Sequence, residues 1–245
     1  MKYTIILDSG HAFDTAGKRN EKEKFYEFDF NNKMQYLIEQ MLKSYPQIDV
    51  VMTNPYPHTT KDIPLSKRCE IANKYYSKNG KVLFISLHAN AYSESSARGT
   101  ETYHAVNCSQ NSKLFASIVN DNVYKVFKDN DKDAKNRGVK SANFTVIKNT
   151  LMPAVLIEFG FYTNLNDLKI LKNNQTELAE AVVKSICHYF NLGYKDSVKV
   201  EPPKSNVLYR VCVGSFANKD NALNLQKELK EKGYSSFIIV EERKQ

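Results

Sequence analysis

The chain has 245 residues, 42 % hydrophobic and 11 % aromatic, which is enough to bury a sizeable core and excludes a disordered polypeptide. Its 35 Lys and Arg against 27 Asp and Glu leave a net charge of +8, which suits polyanionic surroundings such as nucleic acid, anionic lipid or a wall bearing teichoic acid. The basic residues are scattered among acids, no nucleic-acid motif accompanies them, and no window reaches the ~20 apolar residues of a membrane span.

Continuous apolar runs predict strands covered on both faces, and three-to-four-residue apolar spacing predicts helices. In chain order, the strand "YTIIL" leads into Asp8, and the helix "FDFNNKMQYLIEQMLKSY" aligns Phe30, Met34, Leu37, Ile38 and Met41 on one face. A strand "IDVVM" and a helix "LSKRCEIANKYYSK" follow, the latter aligning Leu65, Cys69, Ala72 and Tyr76. "VLFISL" is a strand ending before His88, "TETYHAV" another, "NSKLFASIVNDNVYKVFK" a helix and "FTVI" a strand. The strand "AVLIEF" contains Glu158, and the helix "TELAEAVVKSICHYFNL" closes the series. Alternating strands and helices imply an α/β domain over residues 1–192, a mostly parallel twisted sheet with helices on both faces. Such sheets place their sites at the carboxyl ends of strands.

Residues 193–206, "GYKDSVKVEPPKSN", read as a linker. Residues 207–245 read as a small βαβ unit: strand "LYRVCVGSF", helix "NKDNALNLQKELKEKGY" closed by Gly233, strand "SSFIIV". A unit of this size rarely folds on one core alone and calls for a partner surface. Cys69, Cys108, Cys187 and Cys212 are far apart with no CxxC pair, which predicts reduced structural thiols and no cysteine zinc site.

Chemistry concentrates at three strand ends. His11 and His88 each follow an apolar strand directly, and Glu158 lies near the end of a third. A histidine after one strand is most simply a loop residue; two histidines and a carboxylate at one rim are hard to explain as packing. Glu27, at the start of the first helix, is alone a carboxylate favourably placed at a helix N-terminus, but with the two histidines it completes a His2Glu set that can hold catalytic zinc. Glu158 has its own plain alternative, a pairing with a buried cation such as Arg68 or Arg137. His58, His104 and His188 read as ordinary histidines, His104 being the one to revisit if another polar group faced the metal.

The ordered segments "LDSGHAFDTAGKR", "YEFDFNNKMQYL", "LSKRCEIAN", "LFISLHANAY" and "NRGVKSANFTVIKNTLMPAVLIEFGFYTN" resemble the zinc-dependent N-acetylmuramoyl-L-alanine amidases of the Amidase_3 family. The resemblance implies zinc held by His11, Glu27 and His88, with Glu158 of the E-x-G-F motif as catalytic carboxylate, and cleavage of peptidoglycan between N-acetylmuramic acid and L-alanine of the stem peptide. One departure stands out: Ala12-Phe13 replaces the glycines that usually follow the first histidine, altering the loop's backbone freedom. The tail is similar to one βαβ half of the SPOR repeat, which binds glycan strands stripped of peptide; a half-module implies either a homodimer through paired tails or packing on the catalytic domain.

The N-terminus "MKYTIILDSGH" lacks the apolar length of a secretory signal, so the expectation is synthesis in the cytoplasm and action on the wall after lysis or holin-type release, as a phage endolysin or a mother-cell autolysin. The competing functions are a zinc exopeptidase on a related sheet, which a terminal-carboxylate-binding arginine would favour, and a non-catalytic wall-binding protein.

Overall fold

The computed structural model describes residues 2–55, 61–78, 80–195, 213–234, 236 and 238–240. The chain divides into two compact units, Met1–Pro202 and Pro203–Gln245.

In the first unit, strands β1 (Tyr3–Ser9), β4 (Ile48–Met52), β5 (Val82–Asn90), β6 (Thr100–His104), β7 (Asn136–Ser141) and β8 (Ala154–Phe161) form one sheet in the order β4-β1-β5-β8-β6-β7. A two-residue hairpin, β2 (Arg19–Asn20) with β3 (Phe25–Tyr26), precedes helix α1 (Glu27–Leu42). The other helices of this unit are α2 (Leu65–Asn73), α3 (Gln110–Asn130), α4 (Thr145–Lys148), α5 (Leu165–Asn173) and α6 (Gln175–Tyr189). Within the six-stranded sheet all pairings are parallel except β6 with β8.

The continuous apolar runs are explained by the two covered faces. Successive side chains of a strand point to opposite faces, so Ile5 and Leu7 of β1 pack with Phe30, Met34 and Ile38 of α1 and with Phe115 and Val182 in one core. Ile6 faces the other way, into a second core with Phe84, Leu156, Cys69 and Ala72 of α2, and Val146 and Ile147 of α4.

"FTVI" is not a strand but a single turn of helix, in which Ile147 and Lys148 donate to the Phe144 carbonyl. Four residues carry too little period to separate the two states, and burying Val146 and Ile147 beneath α2 decides it. Two elements lie outside the predicted set: β7, a polar edge strand without apolar period, and α5, a short helix that buries Leu168, Ile170 and Leu171 and whose N-cap Asn164 accepts from the amides of Asn166 and Asp167. The predicted second helix ends early, at Asn73.

Tyr194 packs against the first core, and the Lys195 amide donates to the Tyr45 hydroxyl at 2.7 Å, so the start of the linker lies on this unit. In the second unit helix α7 (Lys219–Glu231) forms as the pattern predicts, capped by Asn218 and closed by Gly233 at φ +83°. Of the flanking strand segments, residues 208–212, 235 and 237 lie outside the described residues; 213–216, 236 and 238–240 carry no strand ladder. Among the described residues no helix is long and apolar enough to cross a membrane.

Candidate metal centre

β1 and β5 are parallel neighbours, with Ser9 opposite Leu87, so the residues that follow emerge at one rim. His11 follows β1 after one glycine, His88 lies near the end of β5, and Glu27 is the first residue of α1. Their ligand atoms all lie within 4.8 Å of one another. Glu27 Oε1 is 3.3 Å from His11 Nε2 and 3.1 Å from His88 Nδ1, and the imidazoles meet edge-on with centroids 4.9 Å apart.

Two imidazoles and one carboxylate are the donor set of an open zinc site, and a polar atom left over supports that fit: Glu27 Oε2 is buried without a hydrogen-bond partner. Burial opposes ionisation of Glu27, but hydrogen bonds from both histidines and their charge prevail and hold it at about 2. A buried, ionised carboxylate with a spare oxygen is a poor packing residue and a good cation ligand.

Close packing and buried amides position these three side chains. A side chain at Gly10 would overlap the His88 ring, its Cβ 2.0 Å from Cε1, so the glycine makes room for the second imidazole. His11 adopts φ 65°, uncommon for a residue with a Cβ. Asn31 of α1 donates to the Gly10 carbonyl at 3.0 Å, Gln35 accepts from the Ser9 amide and donates to the Asn54 carbonyl, and Asn54 reaches the His11 carbonyl at 3.4 Å. Sequence reasoning missed Asn31 and Gln35, although polar residues four apart on an otherwise apolar helix face were the available signal. Ala12 is buried and Phe13 is 59 % exposed with its ring edge-on to Phe28, so the departure from glycine leaves one small residue packed and one aromatic at the rim.

Beneath this loop, buried Asp8 accepts from Arg68 Nη1 at 2.8 Å, from Ser86 Oγ at 2.7 Å and from Thr53 Oγ1. Arg68 also reaches the Ser9 carbonyl, the Ile63 carbonyl and Asp62. Arg68 is thereby committed to Asp8 and Asp62, and Arg137 pairs with Glu101. Neither buried-cation pairing considered for Glu158 forms, and among the described residues Glu158 has no ion pair; its Oε2 is buried without a partner.

Glu158 stands directly opposite His88 across β5 and opposite Glu101 across β6. Burial, then the charges of Glu27 and Glu101, push its carboxyl well above the usual range. Glu101, which sequence reasoning also missed, reaches this rim because β6 runs antiparallel to β8, so the beginning of β6, not its end, meets the end of β8. The same reversal carries His104 to the far end of its strand, where its Nδ1 lies 3.4 Å from Cys108 Sγ. His188 is exposed on α6, and His58 lies outside the described residues.

Residues 5–188 match the family model described as N-acetylmuramoyl-L-alanine amidase, and residues 191–240 match the SPOR domain. The N-acetylmuramoyl-L-alanine amidase CwlM of Bacillus licheniformis is 26 % identical over 237 residues, 96 % of this chain and 84 % of that protein. The endolysin of Bacillus phage SPP1 is 29 % identical over 229 residues, 90 % of this chain and 78 % of its own. Among solved structures, the catalytic domain of CwlV, an N-acetylmuramoyl-L-alanine amidase from Bacillus (Paenibacillus) polymyxa var. colistinus, superposes with a TM-score of 0.67 at 30 % identity, covering 79 % of this chain and all of that one. With two histidines and three carboxylates gathered at this rim, and a family match across three quarters of its length, the chain belongs to the N-acetylmuramoyl-L-alanine amidases and carries a C-terminal SPOR domain.

Proposed function

We propose that this chain hydrolyses the amide between the lactyl group of N-acetylmuramic acid and L-alanine of the peptidoglycan stem, using zinc held by His11, Glu27 and His88. The observation that carries this is the convergence of three ligand atoms within 4.8 Å, with an unpaired carboxyl, Glu158, in register beside them. Zinc bound at this set would polarise the amide carbonyl as a Lewis acid and lower the pKa of its bound water towards neutrality.

The remaining work falls to the chain itself. Glu158 accepts the proton of the attacking water and delivers it to the alanine nitrogen as the carbon–nitrogen bond breaks, leaving a lactyl carboxyl and a free amine. A carboxyl pushed upward by burial and by neighbouring carboxylates is suited to both halves of that transfer. Glu27, ionised between two imidazoles, holds both rings in orientation, and the Asn31–Gln35–Asn54 set holds the backbone of the first ligand.

Two variants test the roles separately. Glu158→Gln is expected to retain stoichiometric zinc and lose turnover by about 10²–10⁴-fold; loss of the metal instead would make Glu158 a ligand. His88→Ala is expected to lose the metal, and undiminished zinc content would sink the ligand assignment.

The SPOR domain is read as holding the enzyme at glycan strands from which peptides have been removed, where the chain acts on the wall. Its described apolar side chains Val213, Ile239 and Val240 are exposed at 62 %, 47 % and 86 %, which supports pairing of two tails in a homodimer. Sedimentation of the full chain over a hundredfold concentration range checks this: a monomer throughout would end the pairing idea.

A further inference from the structure

We propose that Arg137 and Lys140, anchored on the buried carboxylate of Glu101, form a subsite beside Glu158 that recognises a free carboxylate on the second or third residue of the stem peptide. The proposal rests on the amidase reading above.

Glu101 is 2 % exposed and its acceptor capacity is filled. Its Oε1 accepts from Asn90 Nδ2 at 2.7 Å and from the Tyr103 hydroxyl at 3.0 Å. Its Oε2 accepts from Arg137 Nε at 2.6 Å and from Lys140 Nζ. One carboxylate therefore meets two cations and one positive charge is left over, on side chains that remain 36 % and 35 % exposed. Arg137 is bound through Nε alone, and among the described residues no acceptor meets its Nη groups. That leaves the guanidinium fork presented for a planar, singly charged partner, which a carboxylate is.

Backbone geometry aims this fork. Thr100 pairs with Asn136 and Glu101 with Gly138, so Arg137 is the extra residue of a bulge, with Gly138 at φ +76°. The guanidinium rests over the Phe161 ring, 5.0 Å from its centroid, which holds it toward the rim where β8 ends. Asn90 lies two residues past His88, so one short stretch supplies both a metal-site residue and an anchor of Glu101.

Distance sets where the acidic group sits. The backbone of Arg137 on β7 is two strands from β8, roughly 10 Å at the usual strand spacing, and its side chain reaches back across β6 towards Phe161 at the end of β8. An extended peptide covers that in about three residues, fewer once the reach of Arg137 is counted. An acid on the second or third residue matches; one on the alanine itself is too close.

The test uses four stem tripeptides starting with a free alanine amine: fully acidic, amidated at the second residue's carboxylate, amidated at the third residue's side-chain carboxylate, and amidated at the C-terminus only. Binding to the full-length zinc-loaded protein is measured by calorimetry, and the muramyl forms of the same peptides are assayed for kcat and KM. The fully acidic form is expected to bind about tenfold more tightly than the form amidated at residue two or at residue three, with the difference in KM. R137Q/K140M is expected to bring that ratio to within about twofold of one. Equal binding of all four peptides by wild type overturns the subsite, as does a double variant that weakens every peptide alike with its ratio intact, which is the mark of a structural role only. A preference that follows the C-terminal carboxylate alone also overturns it and revives the exopeptidase alternative. Should the double variant not fold, K140M alone carries the same ratio test. Discriminating binding without cleavage by wild type would count against the amidase reading and leave the subsite standing.

Discussion

Replacing Gly10 with alanine places a methyl carbon 2.0 Å from Cε1, 2.4 Å from Nε2 and 2.5 Å from Nδ1 of His88. Ordinary van der Waals contact begins near 3.4 Å, so the imidazole must retreat by about 1.4 Å or rotate out of the rim. Gly10 is not in the left-handed region, so the backbone tolerates alanine and the conflict falls on the ligand alone. Metal–nitrogen distances tolerate about 0.2 Å. A displacement several times larger removes one of three protein ligands, an effect at least as large as the 10–100-fold losses seen when supporting partners are removed. Gly10→Ala is therefore expected to bind zinc at least about 100-fold more weakly, while overpacking lowers the metal-free stability by about 1–3 kcal/mol. Competition with a chromophoric chelator gives the affinity, and urea unfolding in excess chelator gives the stability. Zinc affinity equal to that of wild type in a folded Gly10→Ala protein would refute the placement of His88 against Gly10, and with it the claim that this glycine serves the metal site.

Arg68→Met leaves Asp8 buried with its charge uncompensated, and a loss of about 3–5 kcal/mol is expected in urea unfolding with chelator present; a loss below 1 kcal/mol would mean the pair is replaceable. Burial works to raise the Glu101 carboxyl, but Lys140, Arg137 and Tyr103 hold it below its ordinary value of 4.5. A group whose folded value is depressed stabilises the fold above its unfolded value and loses that contribution as pH falls through the folded one. The stability gap between wild type and Glu101→Gln, measured by urea unfolding, is thus expected to be full at pH 6 and to shrink below pH 4.5; a gap constant down to pH 3 would contradict the ion-paired carboxylate. Asp167 is fully buried and accepts from the amides of Gly99 and Phe161 and from Arg98. Asp167→Asn is expected to cost about 1–3 kcal/mol without altering zinc stoichiometry, checked by urea unfolding and metal analysis; lost zinc would extend the metal site's support to that end of β8.

What the sequence made legible follows from how strongly each feature is patterned. The buried runs ending at Asp8, His88 and Glu158 announce strands, and the strand-end rule brings His11 and His88 to one rim because β1 and β5 are parallel neighbours. The same rule misplaces expectations at β6, because antiparallel pairing is invisible in a five-residue run. Glu101 therefore reaches the rim unannounced, while His104 leaves it. Asn31 and Gln35 were legible only as polar interruptions of an apolar face, and their partners are backbone groups, which a residue pattern does not display. The role of Gly10 could not be read as turn chemistry, since what it supplies is empty space for a ring 78 residues along the chain. Edge strand β7 carries no apolar period, yet it brings Arg137 and Lys140 to Glu101.

The central claim is metal-dependent cleavage at the muramyl–alanine amide, and mass spectrometry of fragments released from purified peptidoglycan tests it most directly. The full-length protein is compared as prepared, after chelation, and after zinc add-back. Stem peptides with a free N-terminal alanine are expected as prepared, absent after chelation and restored by zinc. Release of the same peptides in excess chelator would contradict the metal centre built from His11, Glu27 and His88, and intact glycopeptides in all three conditions would contradict the hydrolysis itself.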